Sequence, residues 1–156
     1  MQKEGLIKEL DSVNTFFTNT IDCLSEEDSK FTPKEGMFTV SQQIAHAAQT
    51  IDWFMDGAFA SNSFDMNFDK LEDEMKNVTS LEEAKTSFKK AVDNAREIIG
   101  KFSDEELAKP LPEGGIMAGV PRFAVIGALA DHTAHHRGAL AVYARLVGKE
   151  PKMPYS

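Results

Sequence analysis

An all-α fold, a four-helix bundle with long connections, is what this 156-residue sequence predicts. Three observations predict it. Four long stretches repeat apolar residues every three or four positions, Ser or Thr followed three residues on by Gln or Glu opens two of them, and no segment alternates convincingly with period two. Four amphipathic helices of this length cover their apolar faces most simply by packing on one another. The length suits one domain over 1–156. The pattern leaves the handedness and order of the helices open.

The first helix is expected over about 3–24, with Leu6, Ile7, Leu10, Val13, Phe17, Ile21 and Leu24 near one face. The second starts at a capping box, Thr39 with Gln42, and reaches about 59 on a stripe of Val40, Ile44, Ala47, Ala48, Ile51 and Met55. Residues 60–79 show no clear period and read as a long connection, with a short helical turn near 70–75. A second capping box, Ser80 with Glu83, opens the third helix, whose inner side carries Leu81, Ala84, Phe88, Ala91, Val92, Ala95, Ile98 and Ile99. Gly100 comes near its end, and Ser103 with Glu106 caps one further turn. The stretch 110–119 holds two prolines and three glycines and reads as a loop. Pro121 then stands where a first-turn proline belongs, and the fourth helix runs to about 147, stopped by Gly148 and Pro151.

Composition excludes several classes. Hydrophobic residues make up 42% and charged residues 27%, as in an ordinary folded chain. The net charge of −8 and the absence of a basic stripe argue against nucleic acid or an anionic membrane as partner. No apolar run approaches the roughly 20 residues that cross a bilayer. The N-terminus carries charges throughout, so no secretory signal is expected. Cys23 is the single cysteine, which rules out an internal disulfide and suits a cytoplasmic location; a small buried hydrophobe is its expected role.

The four histidines hold most of the chemistry. His132, His135 and His136 lie within five residues, and His132 and His136 are spaced to share one side of a helix a turn apart. Neutral imidazole is a good ligand for zinc, nickel, copper or iron. At about 100° per residue from Ile126, the stripe Ile126, Ala130, Thr133, Leu140 and Ala144 stays within roughly 40°. On that wheel His136 falls at about −80° and His132 at about −120°, both at one edge of the buried face, whereas His135 points away near 180°. His46 lies off the main stripe of the second helix beside Thr50 and Trp53, facing either solvent or a cleft; the wheel does not decide. Arg137 projects near the core stripe, where a charge needs a partner such as Asp131 or Asp52, or an anionic ligand to orient. Trp53, Phe123 and Tyr143 are candidate pocket walls or simple core.

Other motifs fail. Thr133 follows His132 where the metalloprotease pattern needs Glu, and no Glu stands three residues before any histidine, as a di-iron bundle requires. A cysteine pair for structural zinc and a P-loop are absent, and no serine sits in a nucleophile elbow, although a Ser–His–Asp triad stays open.

In Ser41-Gln42-Gln43-Ile44-Ala45-His46 and Asp131-His132-Thr133-Ala134-His135-His136-Arg137-Gly138 the chain resembles the DinB-like proteins, the DinB/YfiT superfamily of metalloenzymes. The likeness extends to the length and to four long helices, and so spans nearly the whole chain. It implies a four-helix bundle and a metal triad of His46, His132 and His136, with His135 outside it. One departure is Ala139, where many relatives carry a glutamine that would support a ligand. The resemblance also implies a divalent ion, zinc or nickel, and a small-molecule substrate. Characterised relatives move a low-molecular-weight thiol onto an electrophile, and an open three-imidazole site suits that chemistry by making a bound thiol anionic. The same site would make a hydrolase if it activated water, and a non-catalytic, stress-related metal-binding bundle is the remaining expectation. Relatives often form homodimers, so self-association is expected too. Arg137 is a weak candidate catalytic residue, for orienting an anionic group.

Overall fold

Residues 2–155 are described by a computed structural model. The helices in chain order are α1 (Gln2–Ile21), α2 (Val40–Met55), α3 (Phe68–Lys76), α4 (Leu81–Lys101), α5 (Asp104–Leu107) and α6 (Ala124–Leu146). The four long ones form the expected bundle. α4 and α6 each pack against both α1 and α2, so α1 and α2 occupy opposite corners. The long connections 22–39 and 102–123 therefore cross the ends of the bundle. Among the described residues, no helix is long and apolar enough to cross a membrane.

Every predicted stripe residue of α2 is buried, as are those of α1 and α4 apart from the half-buried Ile7 and Ile98. Phe17 of α1 stacks on Phe88 of α4 with ring centroids 4.1 Å apart, joining two corners of the core. α1 ends at Ile21, before the expected boundary, and Leu24 is buried from the turn that follows. The crossing segment is tied down by Lys149, whose ammonium reaches the buried Asp28 carboxylate at 2.5 Å and Ser25 Oγ at 2.6 Å. Cys23 is half-buried beside it rather than in the core.

The helix starts follow local hydrogen bonding. Thr39 accepts from the Gln42 amide, and Gln42 Oε1 accepts from the Thr39 amide at 3.0 Å, closing the box that starts α2. Ser103 and Glu106 close the same box for α5. At α4 only half of the expected box forms. Ser80 caps Glu83, but the carboxylate that takes up the first-turn amides of Leu81 and Glu82, each at 3.1 Å, belongs to Glu26 of the crossing segment. Pro121 also departs from expectation. It pairs with Pro110 in an isolated antiparallel bridge, with Leu111 donating to the Val120 carbonyl at 2.8 Å, so the loop closes on itself and α6 begins at Ala124.

α2 passes into a π-helical turn over Asp56–Ala60. A Cβ on Gly57 would lie 2.4 Å from the Phe64 ring, so only glycine lets that ring close on the helix end. The chain then doubles back, and α3 lies along the second face of α2. Three side chains of α2 hold it and the segment leading into it by backbone carbonyls: Gln42 to Lys76 at 3.1 Å, Gln49 to Leu71 at 2.9 Å, and the Trp53 indole N–H to Asp65, just before α3, at 2.7 Å.

Candidate metal centre

The site is built where α2 and α6 lie side by side. The buried face of α6 comprises Val125, Ile126, Leu129, Thr133, His136, Leu140, Tyr143 and Ala144. This face is turned from the predicted stripe towards the histidines, because α6 packs against α2 as well as α1. His136 therefore sits within the buried face at 6% exposure, not at its edge. His132 is half-buried at the rim, and His135 is exposed. Thr133, between them, is satisfied by donating to the Leu129 carbonyl at 2.6 Å.

His46 projects from the second face of α2 towards this pair. Its ring centroid lies 5.1 Å from that of His132 and 4.9 Å from that of His136, and the last two are 4.5 Å apart. One ring nitrogen from each histidine falls within 4.8 Å of the others. The side of α2 that the wheel left undecided thus faces a cleft. His135 also touches His136, with centroids 5.0 Å apart, but stays outside the cluster.

Hydrogen bonds orient the rings. Buried Gln43 accepts through Oε1 from His136 Nδ1, and its amide nitrogen donates to the Tyr143 hydroxyl at 3.3 Å. That hydroxyl donates to the Phe38 carbonyl at 3.2 Å. The chain of donors ends on a carbonyl that can only accept, so Gln43 presents its oxygen to His136 and fixes the proton on Nδ1. The Nε2 lone pair is left facing the cluster, 3.2 Å from His132 Nε2. Two nitrogens bonded to one tetrahedral ion at about 2.0–2.1 Å would stand roughly 3.3 Å apart. His132 Nδ1 is buried without a partner.

Burial is the chief reason the rings resist protonation. It lowers His136 to about 3 and His132 to about 4, with repulsion from the other imidazoles adding to it. His46 is lowered too, again by burial first, while nearby Glu72 acts in the opposite direction. Three neutral imidazoles with converging nitrogens are a donor set that fits a divalent ion at neutral pH.

A cleft of about 400 Å³ opens beside His46 and His132, walled by α2 residues such as Trp53 and roofed by α3. The other two aromatic candidates are elsewhere. Tyr143 is buried behind His136 in the hydrogen-bond chain, and Phe123 is half-buried at the start of α6, outside the cleft lining. Arg137 does not line the cleft either. Its guanidinium lies 5.6 Å from the Phe16 ring centre and 5.4 Å from that of Tyr155, in a groove between α1 and α6, rather than pairing with Asp131 or Asp52. The sequence alone assigns Gln43 no role at the site, although it stands within the Ser41–His46 motif. Its one signal is a position three residues before His46, nearly one helical turn away.

A helical bundle with three imidazoles converging between two neighbouring helices defines the class to which the molecule belongs. A sequence profile of the DinB superfamily matches residues 9–140, and the chain belongs to that superfamily. Two solved structures share the fold. A DinB-like protein from Bacillus cereus ATCC 10987 superposes with a TM-score of 0.75 at 19% identity, covering 93% of this chain and 92% of its own. YfiT from Bacillus subtilis, described as a probable metal-dependent hydrolase with an unusual four-helix bundle topology, gives 0.72 at 13% identity, over 95% of this chain and 89% of its own. Comparison with curated proteins yields no match.

Proposed function

We propose that His46, His132 and His136 hold one divalent ion, zinc or nickel, and that the protein moves a low-molecular-weight thiol onto an electrophilic small molecule held in the adjoining cleft. The observation that carries this is the convergence of three neutral ring nitrogens within 4.8 Å beside a cleft of about 400 Å³. A bound ion would supply the positive charge that makes a neighbouring thiol anionic near neutral pH. The chain's own residues do the rest. Gln43 holds the His136 lone pair towards the site, and the apolar wall keeps water from competing for the electrophile. Glu72, the one carboxylate of the same lining, would part from Lys76 to take up the proton that the thiol releases.

A second reaction is favoured by that same carboxylate. Glu72 would equally serve as general base for water, and hydrolysis is the activity attributed to YfiT. Protein loaded with zinc or nickel should consume a thiol in the presence of an aryl halide and leave p-nitrophenyl esters intact. Ester cleavage without thiol consumption would replace transfer by hydrolysis. Elemental analysis showing no retained metal would remove both.

A further inference from the structure

We propose that the cleft beside the histidines selects a flat, uncharged aromatic molecule and rejects anionic or polyhydroxylated ones. This deepens the preceding proposal by naming the class of its electrophile, yet the binding itself needs no metal. The walls are Phe38, Trp53 and Phe54, and the roof is Phe68, Leu71 and Met75. The aromatic rings are splayed rather than stacked face to face: Trp53 meets Phe54 at 71° with centroids 5.0 Å apart, and Phe68 at 48° with 6.3 Å. Rings set in this way present faces and edges to a guest ring. Phe68 lines the cleft while 53% exposed, apolar surface that a guest would cover.

The polar groups point the same way by what they lack. No lysine or arginine is among the lining residues, and the single carboxylate there, Glu72, is already paired with Lys76. In the metal-free protein an anionic body would find no unpaired cation in the lining. The two best neutral donors of the wall are also committed. The Trp53 indole N–H is held by the Asp65 carbonyl at 2.7 Å and the Gln49 amide by the Leu71 carbonyl at 2.9 Å. A sugar-like guest would lose its water and find the indole N–H and one of the two Gln49 amide hydrogens already engaged. A cavity of about 400 Å³ falls in the range of small-molecule pockets, roughly 300–1,000 Å³. His46 and His132 form its inner end, so a guest ring carrying one reactive atom would bring that atom to the histidines.

The chain holds one tryptophan, and it lines this cleft, so its fluorescence reports occupancy. The test uses chelator-treated protein and two probes on one ring skeleton, neutral N-phenyl-1-naphthylamine and its sulfonated counterpart 8-anilinonaphthalene-1-sulfonate. The neutral probe should quench Trp53 saturably, and the sulfonate should bind at least tenfold more weakly. Thr50→Arg, which adds a cation to the lining, should close that gap. Equal or tighter binding of the sulfonate, or binding of the neutral probe with no change at Trp53, would overturn the assignment. Because metal is absent throughout, the result is independent of the triad, whose failure shows separately as absence of retained metal in untreated protein.

Discussion

His136 and Arg137 are adjacent in the sequence, and both project near the buried face of α6, yet the molecule handles them by opposite means. On the α2 side, His136 is buried and neutral, its outer nitrogen held by Gln43 and its inner one aimed at two other imidazoles. On the α1 side, Arg137 keeps its charge and is met by the rings of Phe16 and Tyr155, with a 3.4 Å contact from its guanidinium to the Tyr155 hydroxyl. One side removes charge to leave lone pairs free; the other spreads charge over aromatic faces near the C-terminus. A polar residue close to a helix's core stripe is thus a question about its neighbours. The residue type does not answer it.

The sharpest way to break this contrast is to delete one side chain from each region. His136→Ala should abolish stoichiometric metal retention, measured by elemental analysis after gel filtration, whereas Arg137→Ala should leave the metal content unchanged. If both variants keep metal, the histidine side has been misassigned. A step down in size, Gln43→Ala should weaken metal affinity by about 10–100-fold, the usual cost of removing a partner that orients a ligating histidine. Gln43→Glu should restore most of it, since its carboxylate also accepts from Nδ1. Competition with a chromogenic chelator measures both, and equal affinity in all three proteins would show that the hydrogen bond is incidental.

The pH dependence of the metal-free protein separates the two sides again. In the unfolded chain these imidazoles take up protons near 6.5, but in the folded chain His132 does so only at about 4 and His136 at about 3. Between those limits the unfolded state binds more protons, so stability must fall as the pH drops below about 6.5. Thermal melts from pH 7 to 4 should show this loss, and the His132→Gln/His136→Gln protein should show a flatter profile over the same window. Matching slopes would mean that the histidines are not buried as neutral groups. The smallest effect belongs to the other region: Arg137→Met should cost about 0.5–1 kcal/mol, the scale of a partly exposed cation–π contact, read from denaturant melts. A loss above about 3 kcal/mol would point to a structural role beyond those rings.

Much of the frame was legible because long apolar stripes record it directly: the α2 stripe of Val40, Ile44, Ala47, Ala48, Ile51 and Met55 is buried throughout. The order of the corners was not, since a stripe says which face is buried and not against which helix. His132 and His136 were visible as a pair because helical spacing is local. His46 needed the family resemblance, because only the packing of α2 against α6 brings it near. α3 was legible only as a short helical turn near 70–75: Phe68, Leu71 and Met75 are spaced as on a helix but sit in a short, charge-rich run where three apolar residues are a weak signal. The half-formed box at Ser80 failed for a related reason, as Glu26 arrives from a distant segment that local pattern cannot place.

The attachment of α3 carries a consequence for how this scaffold can change. Two of the three bonds that fasten the roof end on its own main-chain oxygens and the third on that of Asp65 just before it, and the side chains making them belong to α2. Every residue of the roof offers a main-chain oxygen, so the clasp does not read the roof's side chains. Phe68 and Leu71 can therefore be exchanged while the clasp and the histidines stay as they are, whereas Met75 is packed into the core. A library confined to those two positions is a compact route to new guests on an unaltered frame, and divergence in nature has the same freedom.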